Sequence, residues 1–164
     1  MTFFLYHFCR ILTNEPDRKV REAAHHTLSA FIRKAKRRLG PHLKRIFSLW
    51  FCSFFDVSQE VALLARRNFE AAFPETKRDQ VFKIAYKNFL HFANEQLKQT
   101  EEQISENVAD LSKVQREEVF DRMTGSVLQA LAKSFEFTKD WSEDERNHFI
   151  KKLVDILDLS APPV

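Results

Sequence analysis

The sequence predicts an all-α fold of about seven helices, and three observations carry that expectation. Glycine accounts for only 2 of 164 residues, so tight turns and hairpins are scarce. The chain is rich in strong helix formers, with Leu, Ala, Glu, Lys and Arg throughout. It also carries 17 Phe, which supply bulky side chains for packing between helices.

Punctuation residues divide the chain. A first helix is expected from about Phe3 to Leu12, stopped by TNEPD. Pro16 suits the opening of a second, which runs to about Leu39. Gly40 is expected to take a left-handed cap there, and Pro41 restarts the chain for a third helix over 41–55. Ser58 opens a fourth, ending at Phe73-Pro74, and Thr76 with Asp79 is read as the cap of a fifth reaching Lys98. The polar run QTEEQISENVADLS is expected to be a flexible loop. Ser112 with Gln115 and Ser142 with Glu145 form capping-box patterns for a sixth helix to about Phe135 and a seventh to about Leu157. The tail LSAPPV is expected to be extended or disordered. Gly125, inside the sixth helix, costs about 1 kcal/mol relative to Ala, which a close helix approach could explain.

Helical wheels sort the faces. In the second helix Val20, Ala24, Thr27, Leu28, Phe31, Ile32, Ala35 and Leu39 fall on one apolar arc. Arg18, Lys19, Arg33, Lys36 and Arg37 fall on another. Asp17 and Arg21 break the pattern by lying within the apolar arc. Spaced by four, they can pair with each other or reach a neighbouring helix, and they read as a structural pair. The fifth helix is apolar over a wide arc of Val81, Phe82, Ile84, Ala85, Tyr86, Phe89, Leu90, Phe92, Ala93 and Leu97, as expected of a helix packed on two sides.

Charge is uneven. Residues 1–50 hold 11 Lys/Arg against 3 Asp/Glu, whereas residues 101–164 hold 8 against 14. The basic front points to an anionic partner, and Arg33, Lys36, Arg37, Lys44 and Arg45 are the candidate contact face.

Several chemistries find no support. Two glycines cannot make a phosphate loop. Cys9 and Cys52 are expected to be packed, reduced thiols, with no disulfide framework. The histidines are expected at the surface, and adjacent His25 and His26 cannot share a metal on one helix. The apolar start has no basic n-region or cleavage site, and no stretch is long enough to span a membrane. No catalytic residue, metal, cofactor, membrane or DNA partner is expected.

Asp17, Val20, Arg21, Ala24 and Leu28 spell D-x-x-V-R-x-x-A-x-x-x-L, which resembles the second helix of a HEAT repeat. The resemblance implies a HEAT-like helical repeat, an α-solenoid segment of armadillo type. Three ordered segments, DRKVREA, GPHLKRIFSLWF and ARRNFEAAFPETK, resemble the N-terminal region of the listerin family of ribosome-associated E3 ubiquitin ligases. Phe69, Glu70, Ala71, Ala72, Phe73 and Pro74 are its most distinctive residues, and Arg116, Glu117, Phe120, Arg122, Leu128, Ala130 and Leu131 also fit. On this basis residues 1–135 are expected to form a listerin-like N-terminal region, and 136–164 a further helix and disordered tail of the same array.

The resemblance implies docking on the large ribosomal subunit in the cytosol, near the factor that marks stalled nascent chains. Family members recruit an E2 enzyme through a C-terminal zinc-binding RING. Two cysteines and scattered histidines cannot build one here, so the chain is expected to be a fragment or truncated product that acts as a scaffold. A stand-alone HEAT or armadillo-type adaptor, gripping peptides in a groove, is the alternative.

Overall fold

The computed structural model describes residues 2–100, 103 and 111–160, with the side chains of residues 2–6, 36, 37, 159 and 160 outside the description. Among the described residues its helices of defined extent are α1 (Thr2–Asn14), α2 (Arg18–Ala35), α3 (Gly40–Cys52), α4 (Gln59–Ala72), α5 (Glu75–Lys98), α6 (Lys113–Ser134) and α7 (Glu143–Ser160), and Gln103, within the expected flexible loop, is also helical. Short 3-10 turns cover Lys36–Leu39, Ser53–Phe55 and Phe135–Thr138. Among the described residues there is no strand. The fold is an all-α helical-repeat segment.

Helices two apart in sequence are neighbours in space. α2 packs on α4, α1 on α3, and α3 on α5, which gives two layers. Strict alternation ends at α6, which turns back against α1, α3 and α5, while α7 packs on α5. α3 is therefore enclosed. Every residue from Ile46 to Cys52 is buried, a full circuit of the helix rather than one stripe.

Aromatic rings fill the space around α3. Trp50 meets Phe69 of α4 edge-on at 5.3 Å and donates its indole N–H to the Ala65 carbonyl at 2.9 Å. Phe51 meets Phe89 of α5 at 5.3 Å, and Phe82 of α5 stacks on Phe137 at 4.9 Å. Phe149 of α7 closes on Phe82 at 6.3 Å. Such pairs add about 0.5–1.5 kcal/mol each beyond the area they bury. The broad apolar arc of α5 is thus used from both sides, by α3 on one and by α6 and α7 on the other.

The caps at Ser58 and Ser112 form as expected. The Ser58 hydroxyl accepts from the Val61 N–H, and Ser112 and Gln115 make a reciprocal capping box. Ser142 and Glu145 exchange the same two bonds ahead of α7. The predicted cap at Thr76 and Asp79 does not form. Pro74 holds the N-cap position without a side-chain bond, and Thr76 already lies within α5. Glu75 in the first turn supplies the favourable charge there instead.

Gly40 does not adopt the left-handed conformation either. It is the first residue of α3, following Leu39 in right-handed helical geometry. Pro41 sits in the first turn of α3, where its missing N–H costs nothing, so the chain needs no reversing cap. No other helix presses on Gly125, because a Cβ built there would meet nothing within 4 Å. At the other end, Leu159 and Ser160 continue α7 rather than beginning an extended tail. Residues 161–164, and most of the expected flexible loop at 101, 102 and 104–110, lie outside the described residues.

The buried face of α2 is turned from the expected arc toward Arg21 and His25. Arg21, Ala24, His25 and Leu28 are buried, whereas Val20 is 39% exposed. The cause is Arg21. Its partner is not Asp17 but Asp56, across the interface in the turn before α4. Nε reaches Oδ2 at 2.9 Å and Nη2 reaches Oδ1 at 2.9 Å. Asp17 stays exposed and accepts from the Lys19 N–H at 2.8 Å, as an N-cap residue does.

Asp56 also faces Arg122 of α6, with Nη1 at 3.7 Å from Oδ2. Arg122 donates to the carbonyls of Leu12 and Thr13 at 3.0 and 2.8 Å, at the negative end of α1. Burial and the neighbouring Arg21 lower its pKa to about 10, so it remains charged at neutral pH. Among the described residues Asp56 is the only carboxylate bonded to either guanidinium. Asp56→Ala is therefore expected to cost about 3–5 kcal/mol by stranding two buried cations. Asp17→Ala should cost only about 1 kcal/mol, as loss of a cap. Urea unfolding of both variants measures the contrast, and equal losses would refute the assignment.

Candidate functional site

From Ala23 to Phe55 the chain has no Asp or Glu and seven Lys or Arg. This stretch forms most of α2, the following 3-10 turn and α3. Arg33 and Lys34 occupy the last turn of α2, where cations suit the helix dipole. Arg33, Lys34, Arg38, Lys44 and Arg45 are all exposed. None of the five has a carboxylate partner among the described residues, whereas Arg18 pairs with Glu60 at 3.2 Å and Lys83 with Glu145 at 2.7 Å. The side chains of Lys36 and Arg37 lie outside the described residues.

The expected face is split by α3. Arg33 lines a groove between the C-terminal ends of α2 and α4 and the N-terminal ends of α3 and α5. Across that groove lies Lys77 of α5. Arg45 instead lies near Cys9 of α1, close enough to favour the thiolate slightly. Burial outweighs that effect and raises the Cys9 pKa to about 11, and burial pushes the Cys52 thiol up still further. Burial thus disfavours the thiolate, the reactive form, at both positions. Among the described residues, no three His, Cys, Asp or Glu gather as metal ligands.

Lys77 and Asn68 belong to the groove but were not read from the sequence. Asn68 donates from Nδ2 to the His25 carbonyl at 2.8 Å and so fixes α4 against α2. No local pattern marks either residue, because the groove joins segments some forty positions apart. His25 reverses the surface expectation. It is fully buried, edge-on to Phe8 of α1 at 5.9 Å, and neither ring nitrogen has a hydrogen-bond partner among the described residues.

Residues 1–159 match the family described as "E3 ubiquitin-protein ligase listerin, N-terminal domain". The chain belongs to this family. It is 29% identical to listerin of Mus musculus over 148 residues, covering 90% of this chain and 8% of the relative. It is 31% identical to listerin of Gallus gallus over 127 residues, covering 77% and 7%. It is 32% identical to listerin of Xenopus tropicalis over 103 residues, covering 62% and 6%. The chain thus spans less than a tenth of the curated listerins it matches. No solved structure matches it.

The segments that carry the listerin resemblance meet in the interior. Arg21 of DRKVREA binds Asp56, Trp50 of the GPHLKRIFSLWF segment packs on Phe69 of the FEAAFP segment, and Phe73 lies 5.1 Å from Phe69.

His25 makes stability depend on pH. Burial lowers its pKa to about 4, against a partly opposing pull from Asp56 and further lowering by Arg21 and His26. Above the unfolded value of 6.5 neither state binds a proton on this ring, and its contribution is full. As pH falls below 6.5 the unfolded chain gains a proton that the folded chain refuses, so stability is lost down to about pH 4. The loss from this group levels off at about 3 kcal/mol. Urea unfolding between pH 7 and pH 4 should show a smaller decline in His25→Phe than in the wild type. Parallel declines would refute the role of His25.

Proposed function

We propose that this chain is the N-terminal helical-repeat part of a ribosome-associated RING-type E3 ubiquitin ligase. It would act in cytosolic quality control of stalled nascent chains. This segment is a docking scaffold for the large ribosomal subunit and its nascent-chain quality-control factor, and transfers no ubiquitin itself. Ubiquitin transfer, the E2 enzyme and zinc belong to a RING elsewhere in such a protein. Family membership supports the class. The observation that carries the docking role is the acid-free stretch from Ala23 to Phe55, in which Arg33, Lys34, Arg38, Lys44 and Arg45 are exposed and lack carboxylate partners among the described residues.

Phosphates of ribosomal RNA are the anions this surface suits best. Each cation–phosphate contact releases counterions, so affinity falls steeply with salt. No helix among the described residues is long and apolar enough to cross a membrane. The groove beside Arg33 favours a second reading, in which the segment also holds a protein partner as an adaptor does.

Co-sedimentation with purified large subunits tests the electrostatic role. With three phosphate contacts, binding should weaken by about tenfold or more between 50 and 200 mM salt. The triple variant Arg33→Glu, Lys44→Glu, Arg45→Glu should lose most binding at the lower salt while keeping its helical circular dichroism. Undiminished pelleting of the folded variant would remove these cations from the interface.

A further inference from the structure

The groove between α2–α3 and α4–α5 encloses about 800 Å³ and combines two features rarely useful to the same ligand. Its floor is apolar, with Leu43 and Val81 at 8% and 6% exposure, and its wall carries Ile84, which is 48% exposed. Its polar rim holds Arg33 and Lys77, and among the described residues no carboxylate lines it. Asn68 lies in the lining with its NH2 engaged by the His25 carbonyl, so its Oδ1 is held ready to accept a hydrogen bond.

A nucleic-acid backbone would satisfy the cations but gain nothing from the apolar floor. A purely apolar segment would cover Ile84 yet bury two cations unpaired, which is costly. A segment that is both acidic and apolar meets both needs. From this we infer that the groove is a docking site for an acidic peptide segment of a partner protein. Leucine-like side chains seat against Val81 and Ile84, carboxylates pair with Arg33 and Lys77, and a free peptide N–H donates to Asn68 Oδ1. This site rests on the adaptor reading of the groove and shares Arg33 with the ribosome reading, so Lys77 and Ile84, which lie outside the cations tested above, separate the two.

The test uses the whole chain and a fluorescein-labelled decapeptide with three leucines among glutamates. Its control is the same peptide with lysine for every glutamate. Fluorescence polarisation should show saturable binding of the acidic peptide only. Ile84→Glu and Lys77→Glu should each weaken that binding by about tenfold or more. Leu128→Glu, on the half-exposed outer side of α6, should leave it unchanged, and Ile84→Glu should leave large-subunit co-sedimentation unchanged. The inference is overturned by absent binding, by equal binding of the lysine peptide, or by equal loss in Leu128→Glu. Binding of single-stranded RNA that needs Lys77 but survives Ile84→Glu would assign the rim to nucleic acid and overturn it. A dimer in sedimentation equilibrium, lost in Ile84→Glu, would assign the groove to a second copy and also overturn it.

Discussion

One carboxylate holds the stack in register. Asp56 lies in the turn between α3 and α4, and through it Arg21 of α2 and Arg122 of α6 are brought together. Two cations against one anion leave an excess positive charge in a buried place. Backbone oxygens absorb it: Arg21 donates to the carbonyls of Glu15 and Pro16, and Arg122 to those that end α1. Three stretches far apart in sequence, the junction of α1 and α2, the turn at Asp56 and α6, are thereby fixed at one point. Hydrophobic burial alone would let the helices slide, since apolar contact has no direction. A bidentate Arg–Asp pair does not slide, because its geometry is satisfied in one arrangement.

Around this point the aromatic residues do the bulk of the packing. The second half of α3, from Ile46 to Cys52, is buried all round, and its rings reach α4, α5 and, through Phe137, the turn after α6. That enclosure explains the chain's heavy use of Phe, whose flat side chains fill gaps between helices that cross at varied angles. It also explains why α6 leaves the repeating pattern. By folding back over α1, α3 and α5 it covers a face that a strictly two-layered array would leave open, and it delivers Arg122 to the end of α1.

Much of this was legible in residue order. Helix number among the described residues, the serine caps and most of the wide apolar arc of α5 follow from local rules, and the structure carries them out, while Ile84 of that arc stays 48% exposed. Arg21 was recognisable as a buried charge, but its partner was not. Asp56 lies 35 residues away, and a wheel drawn for one helix can see only Asp17. The rotation of α2 follows from the same blind spot. His25 looked like half of a surface pair, because nothing in its neighbourhood announces that Phe8 of another helix will cover it. The basic residues were legible as a charge cluster, but their division by α3 was not. The groove with Lys77 and Asn68 was invisible for the same reason, since it exists only once α4 and α5 have been laid beside α2 and α3.

The junction between α2 and α3 has a consequence for recognition. Residues 36–39 continue in a 3-10 turn straight into the next helix, with no extended linker between them. The densest run of cations in the chain is therefore mounted on hydrogen-bonded backbone. A loop carrying the same charges would have to surrender about 1–2 kcal/mol of freedom per residue on binding. Here the backbone is already ordered, so an anionic partner of the kind proposed above would meet it without that cost.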